Sequence, residues 1–272
     1  MSNKIGIFDS GLGGLTVLKE LREVLPYEDI IYVADTIHIP YGNKSITDIV
    51  SYMRQIVSFL ERQQVKAILV ACNTSSALAL KYIENIISTP IIGLIEPTAE
   101  KISHGQGVER VGVIATRATV SSLAYTLTIK RYNPNIQVIE RAAPLLVPFI
   151  ENRVRRDILI KAFSVYLRPL LEAEIDTLIL GCSHYPLYLE EISSMLLGRN
   201  IEIVDPAVPA VERLKMELAD MNRLGGGRGI VDVYTTGDVY DFKEKAGIFL
   251  SIPLKVRHIS LREEGEIKLW QK

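Results

Sequence analysis

Cys72 and Cys182 are the only two cysteines among 272 residues, and each closes a short apolar run. The first lies in Ala67-Ile-Leu-Val-Ala-Cys-Asn-Thr-Ser-Ser76, the second in Thr177-Leu-Ile-Leu-Gly-Cys-Ser-His-Tyr-Pro186. A free thiol has a pKa of about 8.5, so near pH 7 it is mostly protonated yet readily deprotonated. It can therefore take a proton or give one with modest tuning. A reaction that strips a proton from one face of a carbon and returns one to the other face needs such a group on each side. That reaction is racemisation. Asp9 and His184 are the neighbours expected to exchange protons with Cys72 and Cys182 respectively. Both cysteines are expected where a strand meets a helix, so that backbone N–H groups favour the thiolate. Ser10, Asn73, Thr74 and Ser183 are short donors at such helix starts, suited to holding a carboxylate.

The elements that must place these side chains read as alternating strands and helices. Residues 5–8, 30–34, 67–71 and 91–95 are short apolar runs of the kind found in buried strands. Leu15, Leu18, Leu21 and Leu25 keep helical spacing until Pro26 stops the helix. Ser45, with Asp48 three residues on, reads as the cap of a long helix to about residue 64, with Ile49, Met53, Ile56 and Leu60 facing inward. From Pro97 the pattern restarts: a helix to about 104, a strand over 111–115, a turn over 116–119, a helix to 131 and a strand over 136–140. Residues 141–152 carry Pro144 and Pro148 and read as an irregular connection. A helix over 155–172, the Cys182 strand, another helix, a strand over 201–204 and a helix over 208–221 follow. The glycine-rich stretch 224–229 reads as a flexible surface connection, and 231–235 and 254–259 as the last strands.

The chain also repeats itself. Val111-Gly-Val-Ile-Ala-Thr116 resembles Ile5-Gly-Ile-Phe-Asp-Ser10 at an offset of 106 residues, and the two cysteine stretches match at an offset of 110. The expectation is an α/β protein of two pseudo-symmetric lobes, each a mainly parallel sheet covered by helices on both faces. The first lobe is expected over 1–97 plus 208–272, and the second over 98–207. Ligands of parallel sheets bind beyond the carboxyl ends of the strands. An interlobe cleft would then have Asp9 and Cys72 on one wall, Cys182 and His184 on the other.

Composition narrows the partners. With 31 basic against 32 acidic residues, a net charge of −1 gives no basic excess for nucleic acid. No apolar run reaches membrane length, and the first residues lack a signal-peptide core, so a cytoplasmic protein is expected. Two cysteines in a reducing compartment are not expected to form a structural disulfide. No C-x-x-C spacing occurs and the four histidines are scattered, so no metal site is expected. His38, His104 and His258 read as surface or hydrogen-bonded residues. Gly11, Gly13 and Gly14 miss a dinucleotide fingerprint because Thr16 takes the third glycine's place, and Gly42-Asn-Lys-Ser45 is not a phosphate loop.

Four motifs taken together, Asp9-Ser-Gly-Leu-Gly-Gly14, Pro40-Tyr-Gly42, Ala71-Cys-Asn-Thr74 and Gly181-Cys-Ser-His-Tyr-Pro186, resemble those of the cofactor-independent glutamate racemases of the aspartate/glutamate racemase superfamily. They stand in that family's order, and the resemblance covers nearly the whole chain. It implies reversible L-/D-glutamate interconversion supplying D-glutamate to bacterial peptidoglycan, hence to cell-wall biogenesis and cell shape, with no pyridoxal phosphate and no metal. It implies Cys72 and Cys182 as the two acid/base residues, Asp9 and His184 as their assistants, and Ser10, Pro40, Tyr41, Gly42, Asn73, Thr74 and Ser183 as substrate contacts. Glu151 and Asp35 resemble family acidic residues near the cleft, and Thr116 and Thr119 are expected to line it from the second lobe. The family usually has threonine where this chain has Ser183. A homodimer is compatible with the resemblance. The chain starts directly at its first strand, so activation through an N-terminal extension that binds a cell-wall precursor is not expected.

Three rival readings are set against this one. Aspartate racemase of the same superfamily differs in pocket length, which the sequence does not show. A two-lobed amino-acid-binding protein would leave two cleft cysteines without a task. A cysteine hydrolase built on Cys182 and His184 would have no use for Cys72.

Overall fold

Runs of four to six residues, several of them wholly buried, build two parallel sheets. The structure is a computed structural model and describes residues 4–249 and 254–261; residues 1–3, 250–253 and 262–272, which the expected first lobe includes, lie outside the described residues. Ten strands occur among the described residues: β1 Ile5–Asp9, β2 Ile30–Ala34, β3 Ala67–Val70, β4 Ile91–Ile92, β5 Arg110–Ala115, β6 Gln137–Ala142, β7 Thr177–Gly181, β8 Glu202–Val204, β9 Val231–Thr235 and β10 Lys255–His258. One sheet has the order β10-β9-β2-β1-β3-β4 and the other β6-β5-β7-β8. The run β2-β1-β3-β4 of the first sheet repeats in the second as β6-β5-β7-β8, with β1 matched by β5 and β3 by β7. That is the repeat seen in the sequence, now as topology. The chain after residue 207 returns to the first sheet, where β9 pairs with β2.

Every strand pairing is parallel. A parallel sheet needs cover on both faces, and alternate side chains supply it. Ile5 and Ile7 pack with Leu15, Leu18, Leu21 and Leu214 from helices Gly14–Val24 and Ala207–Asp220. Phe8, Ile68 and Val70 point the other way, onto Ile49, Met53, Ile56 and Leu60 of helix Ile46–Arg62. Ser45 caps that helix by accepting from the Asp48 amide at 3.1 Å, as its spacing predicts. In the second sheet, Val111 and Val113 meet Ile95, Ala99 and Ile129, while Ile114, Leu178 and Leu180 meet Phe163, Leu167 and Leu170. Each fully buried side chain of this size contributes about 1.5–3 kcal/mol. The two double-faced sheets therefore account for most of the burial. Helix Ile95–Ser103 straddles the expected lobe boundary at 97/98 and packs its apolar side on the second sheet.

Three local expectations are corrected. Residues 141–152 are not wholly irregular, because Leu146–Glu151 is helical. Pro148 is its third residue, where the missing N–H would have no intrahelical partner anyway; the first such bond runs from the Phe149 amide to Leu145. The helix expected to run to 131 breaks at Leu123, which is left-handed at φ 55°, and restarts as Ala124–Tyr132. The glycine-rich stretch is tied down rather than loose. The Gly225 amide donates to Glu28 at 2.6 Å, and the Arg228 and Ile230 amides donate to Asp29 at 2.9 Å.

Beneath that stretch lies a buried ion pair, Lys66 with Glu28 at 2.6 Å, with side chains 0% and 1% exposed. Lys66 Nζ also donates to the carbonyls of Arg223 and Gly225. Removing one partner of such a pair strands the other as an uncompensated buried charge. Lys66→Met should lower the unfolding free energy by roughly 3–5 kcal/mol, read from urea denaturation of both proteins. A loss below about 1 kcal/mol would mean the pair behaves like an exposed one.

Candidate active site

The carboxyl ends of β1, β3, β5 and β7 carry the site. Asp9 ends β1 and Ser10 follows it; Cys72 lies two residues past β3, Thr116 directly past β5 and Cys182 directly past β7. Equivalent strands of the two sheets thus deliver equivalent groups from opposite sides. Cys72 and Cys182 line one narrow hollow, and each is 4% exposed and free of disulfide. Ser10, Pro40, Tyr41, Gly42, Asn73 and Thr74 complete the wall of the first lobe. Thr116, Ser183 and His184 complete that of the second, together with Val147, an apolar residue that no motif marks.

Four of the expected residues stand behind this lining. Asp9 is buried, accepting from the Gly11 amide at 2.8 Å and from the Ser183 hydroxyl at 3.0 Å across the cleft. The expected bond from the Cys72 thiol to Asp9 is not formed; Cys72 Sγ donates instead to Ser10 Oγ, at 4.0 Å. Glu151 pairs with His184 Nε2 at 2.7 Å and accepts from the Leu12 amide at 3.2 Å. Asp35 accepts from the Tyr41 hydroxyl at 2.5 Å and from Thr236 at 2.8 Å, so it holds the Tyr41 ring against the hollow. Thr119 bonds Thr116 at 3.0 Å and Thr74 at 3.3 Å, and Thr74 bonds Thr116 at 2.9 Å. Among the described residues, no group of three or more His, Cys, Asp or Glu is placed to hold a metal ion.

The two thiols have different company. Burial pushes the Cys72 thiol up to about 12 and the Asp9 carboxylate adds to this, while the Ser75 hydroxyl and amide pull it back. At neutral pH Cys72 therefore rests as a thiol. Cys182 Sγ lies 3.8 Å from His184 Nδ1, within reach of a proton transfer. Burial opposes an imidazolium at His184, but the bonds to Cys182 and Glu151 outweigh it and hold His184 well above its ordinary value. Burial likewise opposes a charged Glu151, yet the bond from His184 keeps it below the usual carboxylate value.

Cys72 is the N-cap of helix Asn73–Leu78, as expected. Cys182 is not at a helix start: a turn of Ser183 and His184 separates it from a 3-10 turn, Tyr185–Tyr188, and helix Leu189–Met195 comes later. Pro186 cannot supply the N–H that an earlier helical bond would use. Ser75 and Tyr125 also belong to the site's surroundings. Ser75 follows Cys72 by one helical turn and was legible from that spacing; Tyr125, 52 residues from its partner Asn73, was not.

Two free thiols lining one hollow between two like α/β lobes are the arrangement of an amino-acid racemase. The chain belongs to the Asp/Glu/Hydantoin racemase family, whose model matches residues 12–214. Within that family it is similar to proteins named glutamate racemase. That of Desulforudis audaxviator is 41% identical over 258 residues, covering 90% of this chain and 93% of that protein. The crystal structure of a glutamate racemase from Bacillus anthracis superposes with a TM-score of 0.89 at 33% identity, covering 95% of this chain and 97% of that one. A glutamate racemase from Francisella tularensis in complex with D-glutamate gives 0.87 at 37% identity, over 95% and 97%.

The His184–Glu151 pair has a pH signature. A raised His184 contributes stability that is complete below its unfolded value of about 6.5 and lost as pH rises through its folded value. A lowered Glu151 contributes above its unfolded value of about 4.3 and loses this as pH falls through the folded one. Glu151→Gln should therefore bring the His184 titration down, followed by imidazole NMR. An unchanged titration would mean that Glu151 does not govern His184.

Proposed function

We propose that this racemase interconverts L- and D-glutamate with Cys72 and Cys182 as the two acid/base groups. The observation that carries the reading is the delivery of one free cysteine from each lobe to the same hollow. Similarity to proteins named glutamate racemase supports the choice of substrate. In one direction the thiolate of one cysteine takes the α-proton, leaving the electron pair on carbon, and the thiol of the other gives its proton to the opposite face. The cysteines end with their protonation states exchanged, and the reverse reaction restores them. Cys182 meets L-glutamate and Cys72 meets D-glutamate, following the family resemblance. His184 takes the proton of Cys182 at Nδ1 and returns it, with the Glu151 carboxylate on Nε2 stabilising the imidazolium; Asp9, through Ser183 and the Gly11 amide, ties the Asp9–Gly14 turn to the second lobe.

Substrate carboxylates are held by short donors: Ser10, Asn73, Thr74, Thr116 and Ser183, with the Pro40-Tyr41-Gly42 turn closing one side. Asp35 and Thr119 act by holding Tyr41, Thr74 and Thr116 in place. The lobes, 1–97 with 208–272 and 98–207, part to admit substrate. The reaction needs no cofactor, and its D-glutamate feeds peptidoglycan synthesis in a bacterial cytoplasm.

Assay of both acidic amino acids tests the substrate: glutamate should turn over much faster, and equal or faster turnover of aspartate would move the assignment. Cys72→Ser and Cys182→Ser should each cut interconversion by about 10²–10⁴-fold, the usual worth of a positioned acid or base. In D₂O the two variants should lose α-proton exchange from opposite enantiomers. Loss from the same enantiomer in both would contradict the facing arrangement, and a Cys72→Ser protein with full activity would point to the hydrolase-like pair instead.

A further inference from the structure

Asn73 presents an unusual combination at the wall of the hollow. It is 2% exposed, and its amide nitrogen has no hydrogen-bond partner among the described residues. A buried donor left in that condition costs about 1–3 kcal/mol, so its persistence calls for a reason. The amide oxygen, by contrast, is firmly held: the Tyr125 hydroxyl donates to it at 2.5 Å. Tyr125 is completely buried and comes from helix Ala124–Tyr132 of the other lobe.

The phenol determines which way the amide faces. Burial, reinforced by Glu140, holds Tyr125 well above the ordinary phenol value, so its hydroxyl always carries a proton. That proton needs an acceptor, and Asn73 Oδ1 is the one within reach. A flipped amide would orphan the phenol proton and turn a lone-pair-bearing oxygen toward a carboxylate. With the oxygen committed to Tyr125, the two N–H donors of Asn73 remain for whatever occupies the hollow that Asn73 lines. The break at Leu123 is what makes this possible, since the restarted helix begins one residue before Tyr125.

We infer that Tyr125 is a positioning residue: from the second lobe it locks the Asn73 carboxamide of the first with its N–H groups presented to a substrate carboxylate. This rests on the reading of an acidic amino acid as substrate. The same bond spans the two lobes, so the donor is fully oriented only when they are closed. Tyr125 thereby couples lobe closure to carboxylate recognition, and it does so without touching the substrate.

Glutamate racemisation by the unaltered protein is measured first; its absence would overturn the substrate reading and leave Tyr125 to be judged by the binding measurement below. Tyr125→Phe keeps the ring and removes only the hydroxyl. KM for glutamate should rise about tenfold, the loss of a hydrogen bond to a charged group, with kcat changed by much less. In an Asn73→Ala background the same substitution should add nothing further to KM, because the group it orients is gone. A purely structural role would lower the melting temperature but leave KM unchanged, or would act equally in both backgrounds, and either result overturns the inference. A measurement independent of variant folding is the Asn73 side-chain NH₂ signal of the full-length protein in ¹H–¹⁵N spectra. It should shift when D-glutamate is added, and a signal that ignores saturating D-glutamate sinks the proposal.

Discussion

The Asp9–Gly14 turn of one lobe and the Ser183–His184 turn of the other meet with almost nothing between them. A Cβ added at Gly13 would lie 2.4 Å from Ser183 Oγ and 2.5 Å from His184 Nδ1. Real side chains do not approach so closely, so the site tolerates only glycine there. Through this contact Ser183 reaches Asp9, Thr16 reaches the Ser183 carbonyl at 3.2 Å, and the Leu12 amide reaches Glu151. The positions of both cysteines relative to each other follow from it. Gly42 does the same at the far wall, where a Cβ would come within 2.8 Å of Thr116. Two sheets that are each rigid by burial are thus brought together by bare backbone, and the cleft geometry is a consequence of sheet packing rather than of loop conformation.

Within that frame the two walls are alike in topology and unlike in charge. Cys72 rests protonated, with a carboxylate beyond it, whereas Cys182 has an imidazole paired to Glu151. The enantiomers of an amino acid have equal free energy, so kcat/KM must be the same in both directions whatever the environments of the thiols. Chemical asymmetry between the walls can therefore appear only in kcat and KM separately, or in one-sided exchange of the α-proton. Under the proposed mechanism a resting Cys72 thiol suits the direction in which that wall gives the proton and Cys182 takes one. Repeated topology supplied two equivalent cysteine positions, and the residues around them differ on each wall.

The repeated strand-and-cysteine pattern made the two-lobed architecture and the lining of the hollow legible, because buried parallel strands write their presence as continuous apolar runs. The contents of the wall were legible for the same reason: Ser10, Asn73, Thr74, Thr116 and Ser183 sit directly after such runs. What stood behind the wall was harder. Asp35 and Glu151 carry charge that sequence alone cannot assign to substrate or to a neighbour, and the structure spends both on Tyr41 and His184. The helix at Leu146–Glu151 was hidden by two prolines whose positions happen to be harmless. Tyr125 was invisible because its partner lies in the other lobe, and no local periodicity encodes a contact across a cleft.

Closure itself has a chemical consequence. The hollow is bounded by bonds that cross between lobes, Thr74 with Thr116, Asn73 with Tyr125 and Asp9 with Ser183. Each of them joins buried side chains of opposite lobes, and the lobe parting proposed above would release them. Once re-formed, they leave little room for water beside the two sulfurs. A proton removed from the α-carbon would in bulk water be exchanged with solvent from any direction. Between two buried thiols acting as proposed it would be returned from one of two fixed sides, and a dry site strengthens the charge interactions that would stabilise the intermediate. The cost of that dryness is visible at Cys72, whose thiol is harder to ionise than in water. A bound substrate ammonium is the group that can offset it, since a positive charge beside a sulfur favours the thiolate. In the proposed two-thiol mechanism the substrate is thus both reactant and the counter-charge that favours its own deprotonation.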